Sequence, residues 1–265
     1  MITSVANARV KQIVLWQNKA RERRKDRVFL AEGLRMCEEA EASLMLEVYL
    51  TQDMVAKARE IPLLWKKLQQ KGYELVTDEV FAKMSDTRSP QGILSVLRQP
   101  EYDLEELLKA PNPLFLVTEG LQDPGNLGTI LRTGEGAGIT GVIMDKNTVD
   151  IFNPKTIRST MGSVFRVPFV YVEHLGETIR RLHELGVHTY AAHLKGKQSY
   201  QTKTFKGPTA FLIGNEGNGL SRETADLAEE YIKIPMEGRV ESLNAAIAAA
   251  LLMYEAHRQR HETIK

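Results

Sequence analysis

Residues 234–250 read IPMEGRVESLNAAIAAA, and they guide the interpretation of the whole chain. A short apolar strand end leads into the polar turn of residues 237–239, and Ser242 and Asn244 then stand at the start of a helix. Serine and asparagine are favoured helix caps. From Leu243 to Tyr254 the helix is apolar on every side apart from Asn244, a pattern typical of a helix buried all round. We therefore expect the polar turn to be held rigidly, as a reactive site requires.

Two earlier segments carry polar residues at the ends of predicted strands. Residues 114–144 read as strand, turn, helix and strand, a βαβ unit with Asn126 and Arg132 on its helix. Residues 210–220, AFLIGNEGNGL, read as a buried strand that runs into a glycine-rich turn containing Glu216. In an open parallel sheet, ligands bind just beyond the carboxyl ends of the strands. The polar segments are therefore expected to meet at that edge.

Length and composition predict a globular protein with a sizeable core. The chain has 265 residues, of which 43% are hydrophobic, and its single cysteine excludes an internal disulfide framework and a cysteine zinc cluster. The amino terminus lacks the apolar core of a signal peptide, and no apolar run reaches the roughly 18 residues of a membrane span. These features predict a cytoplasmic protein that has no membrane partner.

Strands and short helices alternate through the first hundred residues, which predicts a compact α/β domain. Its first helix is predicted at 4–25, with Val10, Ile13 and Val14 on the face toward the core. Its strands are predicted at 28–33, 44–50, 73–76 and 93–97. The proline-rich and acidic stretch 99–113 predicts a linker. The strands of a second domain are predicted at 114–120, 141–144, 167–172, 187–192, 209–214 and 231–235.

Positive charge is concentrated near the amino terminus, although the formal net charge of the chain is only +1. Between Arg9 and Arg27 there are eight basic residues and two acidic ones, an excess of six. Such a run is commonly a solvated helix face. Clustered lysine and arginine also bind nucleic acid, because they release counterions condensed on its phosphates. Both interpretations are open from the sequence, and the candidate phosphate contacts are Arg21, Arg23, Arg24 and Lys25.

Several chemistries are excluded by missing signals. GEGAG at 134–138 fails the G-x-G-x-x-G spacing and closes a helix instead of opening one, and this missing dinucleotide fingerprint disfavours a dehydrogenase. Neither a phosphate-binding G-x-x-x-x-G-K-[ST] loop nor a G-x-S-x-G elbow is present. His183, His188 and His193 recur every five residues, on one face of neither helix nor strand, so no metal site is predicted and these residues have surface or packing roles. Cys37 is interpreted as a small buried hydrophobe.

Five polar residues remain as candidates for chemistry, although each has an ordinary explanation. Asn126 could cap its helix, Arg132 could pair with a carboxylate, and Ser242 could be a cap. Together at the ends of strands they are harder to explain in that way. The set is Asn126, Arg132, Glu216, Ser242 and Asn244.

The segments that carry this set resemble the three signature motifs of the SpoU class of RNA ribose 2′-O-methyltransferases, in the knotted SPOUT superfamily. In family order, the motifs are NLGTILR (126–132), LIGNEGNGL (212–220) and IPMEGRVESLNAAIAAA (234–250), and RSTMGSVFRVP (158–168) is similar to the intervening segment. Residues 1–98 look more loosely like the family's amino-terminal substrate-binding domain, which resembles a ribosomal RNA-binding protein.

The resemblance implies an α/β fold in which a small ribosomal-protein-like RNA-binding domain (1–98) and a linker (99–112) precede a trefoil-knotted parallel-sheet methyltransferase domain (113–265). It also implies S-adenosylmethionine as methyl donor and a homodimer. The implied donor-binding residues are Gly214, Ile234, Met236 and Leu243.

The resemblance also suggests roles for the polar set. Arg132 is the family's catalytic residue, and because a guanidinium has a pKa above about 12 we expect it to clamp phosphate and ribose while the general base stays open. Asn126 and Glu216 would orient the arginine and the turn. Ser242 and Asn244 would hold the ribose or the methionine end of the donor.

The preferred substrate is ribosomal (23S) RNA, because the amino-terminal domain resembles that of the family's ribosomal RNA enzymes. Transfer RNA is the alternative within the class. An inactive RNA-binding or ribosome-assembly protein on the same fold is the alternative from another class, and the intact polar set argues against it.

Overall fold

The computed structural model describes residues 1–239 and 242–262. The chain divides into two compact units, one made of Met1–Pro100 with Asp150–Phe165 and the other of Glu101–Val149 with Arg166–Lys265. The predicted second domain at 113–265 includes residues 150–165. In the structure this segment groups with the first unit.

The helices and strands of the first hundred residues alternate. The helices are α1 (Ala8–Asn18), α2 (Ala20–Asp26), α3 (Leu34–Glu39), α4 (Gln52–Arg59), α5 (Pro62–Lys71) and α6 (Asp78–Met84). The strands are β1 (Val28–Glu32), β2 (Met45–Leu50), β3 (Glu74–Leu75) and β4 (Ile93–Arg98).

The remaining described residues continue the alternation. The helices are α7 (Leu104–Leu108), α8 (Pro124–Ala137), α9 (Pro154–Thr160), α10 (Leu175–Glu184), α11 (Arg222–Leu227) and α12 (Ala245–His261), with short 3-10 turns at Ser163–Phe165 and Tyr200–Thr202. The strands are β5 (Leu114–Thr118), β6 (Gly141–Asp145), β7 (Phe169–Val172), β8 (His188–Ala192), β9 (Gln198–Ser199), β10 (Thr209–Ile213) and β11 (Glu230–Lys233). Helix α7 lies inside the stretch predicted as a linker.

The first unit is built on a mixed sheet in the order β1-β4-β2-β3, with β4 antiparallel to both of its neighbours and β3 parallel to β2. Val10 and Ile13 of α1 are fully buried, as predicted, and Val14 is half-buried. The later segment completes this unit. Helix α9 packs against β1, and the ring of Phe152 lies 5.0 Å from that of Phe29.

The helix predicted at 4–25 is two helices in the structure, and the prediction of one continuous helix was wrong. The break falls at Lys19, whose φ of −124° and ψ of 104° are extended. The last carbonyls of a helix have no partner within it. Because the chain turns back after Lys19, the Arg23 guanidinium donates hydrogen bonds to the Trp16 and Gln17 carbonyls at 2.5 and 3.1 Å. Arg23 therefore closes the end of α1.

The second unit is built on a sheet in the order β7-β6-β5-β10-β8-β11-β9, and every pairing within it is parallel. Strands β5, β6 and β10 are buried at every position, as expected for parallel strands covered on both faces. The predicted parallel-sheet α/β domain is confirmed. The short edge strand β9 had no sequence signal.

Helix α12 is not buried all round, and that prediction was wrong. The helix packs against α8 and β10. Its buried apolar residues are Ala245, Ala246, Ala249, Leu252, Met253 and Ala256. Ile247, Leu251 and Tyr254 are instead 50%, 37% and 48% exposed. Their spacing of four and three residues places them on one side of the helix. The described chain therefore carries an apolar stripe, residues 247, 251 and 254, that it does not itself cover.

The far end of α12 is anchored by Arg260. Its guanidinium donates to four backbone carbonyls, those of Asn112, Pro113, Phe205 and Gly207, at 2.6 to 3.0 Å. These carbonyls belong to the segments that lead into β5 and β10. Helix α12 is therefore tied to both central strands. No helix of the described residues is long and apolar enough to cross a membrane.

Candidate active site

The loops that follow β5, β6 and β10 are joined by hydrogen bonds at one edge of the sheet. Asn215 donates from Nδ2 to the Gly120 carbonyl at 2.8 Å, and the Gly120 amide donates to Asp145 Oδ1 at 2.8 Å. Because these strands are parallel, their carboxyl ends lie at the same edge. The expected meeting of the first two polar segments at that edge is confirmed.

The turn after β10 is closed by its own backbone and by Asn215. The Asn215 side chain accepts hydrogen bonds from the amides of Gly217 and Asn218 at 2.9 and 3.1 Å. A Cβ atom added at Gly214 would lie 2.0 Å from the carbonyl carbon of Gly219. Glycine at 214 is therefore required by the close approach of the chain to itself, apart from any role in binding a ligand.

Asn126, Glu216 and Asn244 form one hydrogen-bonded chain. Asn126 donates from Nδ2 to Glu216 Oε1 at 3.0 Å, and Asn244 donates from Nδ2 to Asn126 Oδ1 at 2.8 Å. The three residues are 90 and 118 positions apart in sequence. Three of the five polar residues selected from the sequence are thus in direct contact, and they tie the three polar segments together.

The Glu216 carboxylate also holds the turn before α8. It accepts hydrogen bonds from the backbone amides of Gln122 and Asp123 at 3.0 and 2.9 Å. Burial by itself would raise the pKa of Glu216, but the hydrogen bonds from Asn126, Gln122 and Asp123 outweigh it and hold the pKa below its ordinary value. Glu216 is therefore a carboxylate at neutral pH, and it is a weaker proton acceptor than an ordinary glutamate.

The two asparagines differ in what else they do. The cap of α8 is Asp123, which accepts a hydrogen bond from the Asn126 amide at 2.9 Å, so the Asn126 side chain is not used as a cap. Asn244 caps α12, because its Oδ1 accepts hydrogen bonds from the amides of Ala246 and Ile247 at 2.9 and 3.2 Å. Asn244 therefore links the start of α12 to the start of α8.

Arg132 and Ser242 are not part of this hydrogen-bonded chain. Both side chains are exposed, and neither makes a hydrogen bond or an ion pair with any residue that the structure describes. The hydrogen bonds of Asn126 and Glu216 go to the turn and to Asn244, and none reaches Arg132.

The residues assigned to the donor from the resemblance lie beyond β10 and β11. Gly214 is buried in its turn, and Ile234, Met236 and Leu243 are each half-buried. Half-buried apolar side chains leave a surface that the apolar part of a ligand such as a nucleoside can cover. The residues present therefore fit the predicted donor. Val240 and Glu241, in the third motif, lie outside the described residues.

Two residues that hold this edge were missed from the sequence. Asp145 accepts hydrogen bonds from the Gly120 amide and from Thr148 Oγ1, and Gln122 donates from its side chain to the carbonyls of Gly120 and Asn147. The available signal for Asp145 was its place directly after a buried strand. Gln122 had no signal, because its role depends on contacts with distant residues.

The other polar residues considered from the sequence are structural. Cys37 is fully buried, and burial raises the pKa of its thiol to about 12. His183 contacts Thr189 and His188 contacts Glu230, at 2.7 and 3.1 Å. Within residues 1–239 and 242–262 no group of histidine, cysteine and acidic residues is arranged to hold a metal ion.

Comparison with known proteins identifies the class to which this fold and site belong. The SpoU rRNA Methylase family matches residues 113–254, and the MRM3-like substrate binding domain matches residues 7–95. The first match covers more than half of the chain. The chain belongs to the SpoU rRNA methylase family.

Individual relatives are similar over nearly the whole length. The 23S rRNA (guanosine(2553)-2′-O)-methyltransferase RlmP of Bacillus subtilis (strain 168) is 33% identical over 255 residues, which is 96% of this chain and 97% of that protein. The AdoMet-bound rRNA methyltransferase from Sinorhizobium meliloti is 31% identical with a TM-score of 0.86, covering 99% of this chain and 98% of that one.

A third relative is the SpoU methyltransferase AviRb from Streptomyces viridochromogenes in complex with AdoMet. It is 27% identical with a TM-score of 0.83, and the match covers 96% of this chain and 98% of that one. The family recognised from the motifs is confirmed. So is its enzyme class, an RNA 2′-O-ribose methyltransferase that uses S-adenosylmethionine.

Proposed function

We propose that this protein transfers a methyl group from S-adenosylmethionine to a ribose 2′-hydroxyl of 23S rRNA. The observation that carries the proposal is the hydrogen-bonded chain Asn126–Glu216–Asn244, which joins the three family motifs at the carboxyl edge of a parallel sheet. The 23S rRNA is inferred from the near full-length likeness to the Bacillus subtilis enzyme. Such an enzyme would act in the cytoplasm.

In this proposal, the donor lies beside Gly214, Ile234, Met236 and Leu243. The apolar surface of the last three would cover the nucleoside, and the tight turn at Gly214 would leave backbone groups close to it. When bound, S-adenosylmethionine supplies an electrophilic methyl group. The residues of the chain would hold the donor and the ribose hydroxyl in the orientation that transfer requires.

Arg132 is proposed to bind the RNA at the reacting ribose. A guanidinium stays protonated, so it cannot serve as the base, but its planar fork can hold a phosphate and stabilise charge that develops on the ribose oxygen. Its exposure and its lack of a described partner support this role. Ser242, also exposed, is proposed to hold the ribose or the methionine end of the donor.

Glu216 and Asn126 are proposed as positioning residues. The low pKa of the Glu216 carboxylate favours a structural role over that of a base, because a weakly basic group takes the hydroxyl proton poorly. Their hydrogen bonds hold the turns around the reacting atoms, while Asn244 holds the start of α12 against α8.

The working form is proposed to be a homodimer in which the apolar stripe of α12 is covered by a second copy. Ile247, Leu251 and Tyr254 form an apolar surface on the helix that also carries Asn244, and a two-fold axis pairs such a stripe with itself. Sedimentation measures this directly. The wild type should run as a dimer and Ile247→Lys as a folded monomer, whereas a monomeric wild type would contradict the proposal.

Two features of chain organisation belong to the same proposal. The domain assignment is an RNA substrate-binding domain at 1–98, a linker at 99–112 and a methyltransferase domain at 113–265, supported by matches at 7–95 and 113–254. The trefoil knot is inferred from the family alone. An experimental structure with an unthreaded chain path would contradict it.

Methylation mapping tests the function. The purified protein is incubated with labelled S-adenosylmethionine and either unmodified 23S rRNA or unmodified tRNA, and 2′-O-methyl positions are then mapped. We expect label at one ribose of 23S rRNA. Label in tRNA alone would make tRNA the substrate. Donor binding without transfer to either RNA would instead favour an RNA-binding or assembly protein.

A further inference from the structure

The basic run near the amino terminus is divided by the structure into internal and exposed residues. Arg23 is 2% exposed and lies 2.5 Å from Asp150, in addition to its bonds to the end of α1. Arg9 pairs with Glu47 and lies over the Trp16 ring. Arg9 and Arg23 are therefore engaged by neighbouring residues of the fold. Arg23, a candidate phosphate contact from sequence, cannot reach a phosphate.

Four other basic residues of α2 and of the position before it are exposed, and no partner for them lies among the described residues. Lys19, Arg21, Arg24 and Lys25 make no side-chain hydrogen bond or ion pair with any residue in the described ranges 1–239 and 242–262. The nearby acid Asp26 accepts hydrogen bonds from Trp16 Nε1 and Gln12 Nε2 at 2.7 and 3.2 Å. It is thus directed toward α1 and does not pair with these cations.

Helix geometry gathers the exposed cations onto one side. Arg21, Arg24 and Lys25 are spaced three and four residues apart, which places them together on a helix surface, whereas Arg23 points inward. Like charges at this spacing repel each other. A cation in the last turn of a helix gains from the helix dipole, but of these three residues only Arg24 and Lys25 lie there. The dipole therefore does not account for Arg21 beside them.

We propose that Arg21, Arg24 and Lys25 form a phosphate-binding surface, the α2 basic face, that holds substrate RNA through its backbone. The proposal rests on the proposed function for the identity of the polyanion. Exposed arginine and lysine without protein partners keep their full capacity to displace counterions from phosphates. Phosphate contacts of this kind position an RNA and do not read its sequence. The α2 basic face therefore contributes affinity, and the choice of nucleotide is made elsewhere.

The test replaces all three residues with alanine in the full chain and measures binding to unmodified 23S rRNA against salt concentration. Alanine favours helix, so α2 should persist. Loss of three contacts should lower the log-log salt slope by about 2 to 3 and weaken binding by roughly 100-fold at about 0.1 M salt. Methylation should show a raised KM for RNA with kcat unchanged, and donor affinity should not change.

A matched control removes the same charge from other helices of the same unit. The control substitutes three exposed lysines that have no described partner, Lys57, Lys66 and Lys71. It should leave the salt slope, RNA affinity and KM at wild-type values. An equal effect in both variants would mean that only net charge matters, and it would overturn a specific face.

Other outcomes also decide the question. RNA binding with an unchanged salt slope in the α2 variant would overturn the proposal. So would unchanged RNA binding together with lost binding to vesicles of anionic phospholipid, which would make the face a membrane contact. If the wild type methylates no RNA but its RNA binding still depends on the α2 basic face, the proposed function fails and this inference stands.

Discussion

Asn244 has two separable tasks, and substitutions can distinguish them. Its Oδ1 caps α12, while its Nδ2 reaches Asn126 at 2.8 Å. Serine is as good a cap as asparagine but cannot make this donation. Asn244→Ser should therefore keep the cap and lose the bridge. Asn244→Ala should lose both.

The expected magnitudes follow from these contacts. The bridge is exposed, so its loss should cost about 0.5 kcal/mol, at the low end for a hydrogen bond, while loss of the cap should cost about 1 kcal/mol more. For a chain of this size these values lower Tm by roughly 1 to 2 °C in Asn244→Ser and 3 to 6 °C in Asn244→Ala. If the bridge aligns the turn at the reacting atoms, as proposed, both variants should lose about 10- to 100-fold in methyl transfer.

The assay compares thermal unfolding with single-turnover methylation. Asp103→Ala is the matched control, because Asp103 caps α7 in the same unit by accepting a hydrogen bond from the Glu106 amide. Asp103→Ala should lose about as much stability as the loss of the α12 cap costs, and it should retain methylation activity. If Asn244→Ser methylates at the wild-type rate, the bridge has no role in positioning. If it is as unstable as Asn244→Ala, the separation of cap from bridge is incorrect.

Three further predictions concern other described residues. Arg132→Ala should leave Tm and donor binding unchanged, because the side chain is exposed and unpaired within the described chain. It should lower methyl transfer at least 100-fold, about 3 kcal/mol, and Arg132→Lys should recover little of that loss. The pKa of Glu216 is lowered in the folded protein, so the carboxylate contributes its full stabilisation above the ordinary pKa of 4.5. That stabilisation is lost as the pH falls through the pKa of the folded protein. The difference in Tm between wild type and Glu216→Gln should therefore shrink below about pH 4.5 and not above it. Cys37, with its pKa raised to about 12, should resist alkylation at pH 8 until the protein unfolds, and mass spectrometry along a urea titration would contradict this if it found modification of the folded protein.

Part of the candidate site is predicted by local patterns in the sequence. Strand ends, glycine-rich turns and apolar runs indicated a parallel α/β sheet with polar residues at one edge, because strand burial and turn chemistry are local properties of the chain. Asn126, Glu216 and Asn244 were singled out in this way, and they are in contact. Arg132 and Ser242 came from the same motifs but lie outside the hydrogen-bonded chain of the described residues.

The exceptions share one cause, which is that burial is decided by the neighbours a residue acquires on folding. The apolar run of α12 predicts burial on all sides, yet the described chain supplies neighbours for one side only, and Ile247 stays exposed. The charge run predicts a uniform basic helix, yet Asp150, 127 residues further along, draws Arg23 inward.

The sequence alone determines the succession of strands and helices and the polar residues at strand ends. It also carries the resemblance to a family of RNA methyltransferases. Only the tertiary structure decides which cations remain free and which asparagine is a cap. It also decides that residues 150–165 complete the first unit. These outcomes depend on pairs of residues that are distant in sequence, and a hydrogen bond or ion pair exists only when folding brings both partners within about 3 Å of each other.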